Sequence, residues 1–383
     1  MSSRPIARDI AESPNLIPVS EPLIGDNVLP LVRECLDTGW LSSEGRFVPE
    51  FERRWSTYCG AEFGIAVCNG TAALQIAVAA LNLEHGSEII MPSWTIISCA
   101  IAIIEAGCIP VLVDCDPETW CMDLDQVESR ISPKTRALMP VHMFGHPVDM
   151  RRLATLARKC GLYIIEDAAE AHGAEVAGRR VGGLGDMGCF SFYSNKIVTT
   201  GEGGMVVTNN LEFADRLRLL RNLCFRSDRR FFHTEIGHNY RLTNLQAAVG
   251  VAQIERVDSH IEKKRWIAAC YRERLKNLSQ LALPVEREWA KNVYWMYGLV
   301  LDDDVPFDAA EFARRLRERG VDTRPFFLGM HEQPVFRSKG LFERQTYPVS
   351  ERLTRRGLYI PSGLTLTELQ IDRVCEAIVQ VVS

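Results

Sequence analysis

The sequence predicts an α/β protein with a mostly parallel sheet, followed by a smaller α+β region. Three observations predict this class. Short apolar runs alternate with helical patterns from about residue 64 to 166, the rhythm of βαβ crossovers. The run at 162–166, LYIIE, is apolar almost throughout, as strands buried on both faces are. After residue 208 the texture changes to longer helical stretches with few strands.

The elements are expected in this order. Residues 1–22 read as a polar, proline-punctuated arm. Helical apolar spacing covers 24–38 and stops at Gly39, and a second helix covers 47–58. Then come strand 64–68, helix 72–83, strand 88–91, helix 96–106, strand 109–114, helix 123–131, strand 137–142, helix 150–159 and strand 162–166. Two strands, 189–192 and 205–208, flank a lysine and a glycine cluster. Downstream lie a helix at 211–222, a long helical stretch from 244 to about 278, a strand at 293–301, and helices at 308–319 and 366–382. The expected division is an arm (1–22), a large domain (23–250) and a small domain (251–383) joined through the long helix.

Bulk properties narrow the function. The chain has 383 residues, 46% hydrophobic and 24% charged, enough for a sizeable core. A net charge of -5 with no basic stripe argues against nucleic acid as a partner. The 12 cysteines are scattered without a C-x-x-C pair, so no zinc site is expected and metal is not. Many sit in apolar runs, where a free thiol behaves as a small hydrophobe, which suits a reducing cytoplasm. The first residues lack the apolar core of a signal peptide, and no apolar run is long enough to span a bilayer.

Three local patterns carry chemistry. Asn69-Gly70-Thr71 falls between a strand and a helix, where free N–H groups and the helix dipole make a phosphate cradle. Taken alone it also reads as a plain helix cap. Asp167 stands at the end of the most apolar strand, where open α/β sheets bind ligands, with Glu170 one turn on. A carboxylate there holds a heterocyclic nitrogen protonated; the plain alternative is another cap. His172 alone reads as structural. Lys196 follows a buried strand and precedes Thr199, Thr200, Gly201, Gly203 and Gly204. A lysine in such a pocket loses its proton and attacks carbonyls, and otherwise is an exposed loop residue. Together, cradle, acid and lysine are the fixed points of a pyridoxal 5'-phosphate site.

The segments NGTAAL, EDAAEAHGA, GCFSFYSNKIVTTGEGGMVVT and GHNYRLTNLQAAVG resemble those of the DegT/DnrJ/StrS family of sugar aminotransferases, over nearly the whole chain. The resemblance implies fold type I, the aspartate aminotransferase architecture, in a homodimer with shared active sites. It implies pyridoxal 5'-phosphate held at Gly70, Thr71 and Ser191, completed from the other subunit by Asn239 and Arg241. Asp167 is then the partner of the ring nitrogen, Glu170 lies near the ring hydroxyl, and Lys196 is the Schiff-base lysine and proton shuttle. Trp94 and Ile96 are candidates to cover the ring; Ile96 stands where the family usually has an aromatic. Arg226, Arg324, Phe326 and His331 are candidates for the sugar nucleotide. The implied reaction moves an amino group from L-glutamate to C4 of a nucleotide-linked 4-keto-6-deoxy sugar. GDP-4-keto-6-deoxy-D-mannose is the expected acceptor and GDP-perosamine, an O-antigen and lipopolysaccharide precursor, the product. The alternatives are a UDP- or dTDP-linked or nucleotide-free ketosugar, aminated at C3 or C4, and a non-catalytic cofactor-binding regulator.

Overall fold

The computed structural model describes residues 16–225, 228–229 and 231–382. Strands β1 (Phe63–Val67), β2 (Glu88–Pro92), β3 (Ile109–Val113), β4 (Thr135–Leu138) and β5 (Tyr163–Asp167) alternate with helices, as the sequence pattern requires. A small hairpin, β6 (Glu175–Val176) and β7 (Arg179–Arg180), precedes β8 (Met187–Ser191) and β9 (Gly204–Thr208). The seven longer strands form one sheet in the order β1-β9-β8-β5-β4-β2-β3. Only β9 runs against the rest, pairing antiparallel with β1 and β8. Helices cover both faces, so the central strands are buried on both sides and read as continuous apolar runs.

The second sheet lies in the C-terminal part. It contains β10 (Leu281–Ala282), β12 (Tyr297–Leu301), β13 (Arg324–Pro325) and β14 (Gly357–Ile360), in the order β10-β12-β14-β13. Strand β11 (Ala290–Lys291) joins the β6–β7 hairpin instead. The helices Val257–Leu275 and Glu368–Val382 pack beside this sheet around Tyr271, Leu299, Ile371 and Ile378.

Two expectations need correction. The stretch from 244 to 278 is two helices, Asn244–Ile254 and Val257–Leu275. The first packs on the helices Val28–Thr38 and Phe47–Cys59, the second on Glu368–Val382, so one straight rod does not serve both. The strand expected at 293–301 begins only at Tyr297, because Tyr294 takes a left-handed conformation with φ 48°. The arm at 1–22 falls mostly outside the described residues; Ile17 bridges Val321 and is buried.

Neighbouring acids at the end of β5 serve opposite faces, because successive strand residues point opposite ways. Glu166 is fully buried. It accepts hydrogen bonds from the backbone N–H groups of Gly182 (2.8 Å), Leu184 (2.7 Å) and Gly185 (2.6 Å). His142 Nε2 donates to it at 3.0 Å, while His142 Nδ1 accepts from Val148 N–H. Glu166 therefore fastens the turn that leads into β8, and Asp167 is left for the other face. Glu166→Ala leaves His142 Nε2 and the N–H groups of Gly182, Leu184 and Gly185 without their acceptor, at about 1–3 kcal/mol for each that stays buried. Chemical denaturation is expected to show a loss of roughly 3 kcal/mol or more.

Candidate active site

A cavity of about 520 Å³ opens at the carboxyl ends of the sheet strands. Cys68, Thr95, Val141, Asp167 and Ser191, each at or just past the end of a strand, contribute to its wall. This is where open α/β sheets place ligands.

One end of the cavity is a helix N-terminus. The helix Gly70–Ala80 is capped by Asn69, whose side chain accepts from Ala72 N–H at 2.8 Å. The first N–H groups of a helix lack intrahelical acceptors, so those of Gly70 and Thr71 remain for an anion. Glycine is required at 70, since a Cβ there would come within 2.7 Å of Ser191 Cβ. The Thr71 and Ser98 hydroxyls meet at 2.8 Å beside it.

Asp167 is buried, and both carboxylate oxygens are held. Ala169 N–H donates to Oδ1 at 3.1 Å, and Cys99 Sγ donates to Oδ2 at 3.0 Å. Burial pushes the Cys99 thiol well up, so it stays a neutral donor to the carboxylate.

Lys196 sits at the turn after β8 with its side chain only 10% exposed. Its Nζ lies 3.9 Å from Glu170 Oε1 and 3.6 Å from the centre of the Trp295 ring. The Glu170 carboxyl is fixed by Phe144 N–H, which donates to Oε2 at 2.9 Å. Two opposite charges this far apart gain about 4 kcal/mol at an effective dielectric near 20, while desolvation costs several kcal/mol per ion. Burial wins. It pushes Glu170 up to about 7 and Lys196 below its usual range, against their mutual attraction. Desolvation therefore outweighs ion pairing here, the condition that favours an unprotonated amine.

The turn that carries Lys196 is fastened on several sides. Trp295 Nε1 donates to Asn195 O at 2.8 Å. Val198 N–H donates to His172 Nδ1 at 3.3 Å, and Thr199 Oγ1 donates to Phe192 O at 3.0 Å. His172 is structural here, packed among Trp55, Phe190 and Phe192.

The cavity wall thus brings together Gly70, Thr71, Ile96, Asp167, Glu170, Ser191 and Lys196. Trp94 is placed elsewhere: it is buried behind the wall, donates to Phe327 O at 2.8 Å, and packs against Phe144, Phe326 and Phe327. Phe326 belongs to that same cluster, and Phe327 takes the place on the wall. His331 is buried, facing Glu351 at 3.2 Å and the Tyr347 ring. Arg324 is exposed and paired with Asp322 at 2.7 Å. Asn239 and Arg241 lie off this cavity; Arg241 Nη1 donates to Asn222 Oδ1 at 2.7 Å on the wall of a separate cleft. Arg226 lies outside the described residues. The sequence reading missed Trp295 and Tyr359, which reach the cavity from the C-terminal part, and Cys99, which it counted only as an apolar residue.

A model of an aminotransferase family matches residues 22–379, nearly the whole chain. The chain belongs to the DegT/DnrJ/EryC1/StrS aminotransferase family. It is a transaminase that works with pyridoxal 5'-phosphate. GDP-perosamine synthase of Caulobacter vibrioides is 40% identical over 366 residues, covering 95% of this chain and 98% of that protein. GDP-perosamine synthase of Vibrio cholerae is 36% identical over 363 residues, covering 95% and 98%. Among solved structures, S. venezuelae DesV is 34% identical with a TM-score of 0.87, covering 93% of this chain and 94% of that one. The residues present fit the cofactor: an anion cradle that only glycine leaves open, a fixed buried carboxylate, and a desolvated amine share one cavity.

Burial holds His172 neutral, with its pKa pushed down to about 3 from 6.5. The unfolded chain takes up that proton below about 6.5, so the stability it contributes is whole above 6.5 and drains as pH falls toward 3. The melting temperature is expected to fall on acidification below about 6.5. His172→Gln, which retains an acceptor for Val198 N–H, is expected to flatten that slope.

Proposed function

We propose that this protein transfers an amino group from L-glutamate to C4 of GDP-4-keto-6-deoxy-D-mannose, giving GDP-perosamine for an O-antigen or related polysaccharide. The observation that carries the chemistry is Lys196, a desolvated amine beside Glu170 in one cavity with Asp167 and the Gly70–Thr71 helix mouth. The sugar is inferred from likeness: three GDP-perosamine synthases are 36–40% identical over nearly their full length. A dTDP-3-amino-3,6-dideoxy-galactose transaminase at 34% identity keeps a dTDP-linked 3-ketosugar as the second reading.

When bound, pyridoxal phosphate supplies an aldehyde that accepts the amine and a ring that draws electrons from the donor carbon. The protein does the rest. Gly70 and Thr71 N–H groups with the Ser191 hydroxyl bind the phosphate. Asp167 holds a proton on the ring nitrogen through the carboxylate that Ala169 and Cys99 orient. Lys196 Nζ would take the proton from the donor's Cα and pass it to the cofactor's C4′. Ile96, Trp295 and Phe327 keep water off the reacting atoms.

The cavity wall offers one cationic side chain, Lys196, among the described residues, yet both proposed substrates and the cofactor are anionic. A second copy is read as the source of the missing charge, with Asn239 and Arg241 reaching across a homodimer interface. Exposed apolar side chains support that interface: Leu29, Leu36 and Trp40 on and beside the first helix, and Ile96 and Tyr193 at the cavity mouth. The free thiols and the lack, among the described residues, of any helix long and apolar enough to cross a membrane accord with work in the cytoplasm.

Purified protein with L-glutamate and GDP-4-keto-6-deoxy-D-mannose is expected to form GDP-perosamine, read by mass spectrometry and by 2-oxoglutarate release. Lys196→Ala is expected to abolish multiple turnovers. Turnover only with a dTDP- or UDP-linked ketosugar would replace the sugar and keep the class. For the shared site, co-expressed Lys196→Ala and Arg241→Ala chains are expected to regain activity that neither variant has alone, because mixed dimers contain one intact site. No recovery in mixed dimers would place Arg241 outside the site.

A further inference from the structure

One face of the helix Val257–Leu275 grips the backbone around the reactive lysine. His260 Nδ1 donates to Ile197 O at 3.1 Å, one residue past Lys196. One helical turn on, Lys264 Nζ donates to Trp295 O at 2.9 Å and also to Ser362 O. Residues at this i, i+4 spacing share a helix face, so the two contacts act side by side. Trp295 in turn donates to Asn195 O, one residue before Lys196, and lays its ring 3.6 Å from Lys196 Nζ. The contacts therefore run unbroken from Lys264 through Trp295 to Lys196.

Lys264 is an expensive way to fill this space. It is buried, and its hydrogen-bond partners among the described residues are two carbonyls rather than a carboxylate. Burial pushes it down to about 7, and a neutral amine has two N–H groups for two acceptors. Methionine would supply similar apolar volume without the desolvation cost. What methionine would not supply is a hold on the Trp295 carbonyl.

We propose that Lys264 is a positioning residue for the transamination: by holding the Trp295 backbone it keeps the indole ring over Lys196 and so keeps that amine out of water. The inference rests on Lys196 as the reactive amine. The charged and titratable groups that face Lys196 are Glu170, Asp167 and His172. Around Lys264 are His260 and Tyr271 on its own helix, the Tyr271 hydroxyl donating to Pro361 O, and Tyr297 of β12, whose N–H donates to Ser362 Oγ.

The test is trace acetylation of the cofactor-free full chain across about pH 6 to 10. Labelling of Lys196 is read by peptide mass spectrometry, beside a melting curve. Wild type is expected to label Lys196 with a midpoint below that of exposed lysines. Lys264→Met is expected to raise the midpoint by about one pH unit, roughly a tenfold loss of free amine at neutral pH. Trp295→Leu is expected to raise it in the same direction. A purely structural role lowers the melting temperature and leaves the midpoint in place, and a folded Lys264→Met with the wild-type midpoint overturns the proposal. Should Lys264→Met not fold, Lys264→Leu is read the same way: it also removes the donor to Trp295 O, so a wild-type midpoint there overturns the proposal too. An ordinary lysine midpoint in the wild type itself overturns the premise about Lys196, a failure distinct from that of Lys264.

Discussion

The structure depends on keeping one primary amine almost dry. In water Lys196 would hold its proton and attack nothing. Beside Glu170 alone it would hold that proton more tightly still. Burial tips the balance, because each ion forgoes more hydration than the pair regains by attraction. Much of the surrounding fold serves that end. Strand β8 delivers the turn, Trp295 roofs it from the C-terminal part, and His172 and the rings around it close the floor. The site thus requires both sheets in register with each other, although most of its named groups come from one.

Much of this was legible in the sequence because it is local. Alternating apolar runs mark a buried parallel sheet, and the ends of β5 and β8 carry Asp167 and Ser191 within the motifs themselves. The open helix mouth at Gly70 and Thr71 is legible for the same reason, since strand, glycine and helix start are consecutive in the chain. What escaped depends on distance along the chain. Trp295 and Tyr359 lie roughly 100 to 200 residues from β5 and β8, and no spacing rule connects them to Lys196. Trp94 misled because it neighbours Thr95 and Ile96, which do line the cavity, while its own indole turns back to Phe327. The long helix misled through composition: good helix formers run from 244 onward, and only tertiary packing breaks them at 255–256. Cys99 was read by its usual role in a core, and its hydrogen bond to Asp167 spans 68 residues of sequence.

The cavity wall is short of positive charge among the described residues. Its wall combines apolar side chains with hydroxyls, two buried acids and one amine, which suits the heterocyclic ring of the cofactor better than the charged ends of its substrates. Relatives at 34–40% identity are named for different sugars.

Glu166 and Asp167 occupy consecutive positions and look in opposite directions from β5. A shift of β5 by one residue would turn the first toward the cavity and the second toward the 182–185 loop. Neither face would then find the carboxylate it was built around. A sheet misregistered by one residue is therefore penalised on both faces at once: the 182–185 loop loses its anchor and the cavity loses its buried carboxylate.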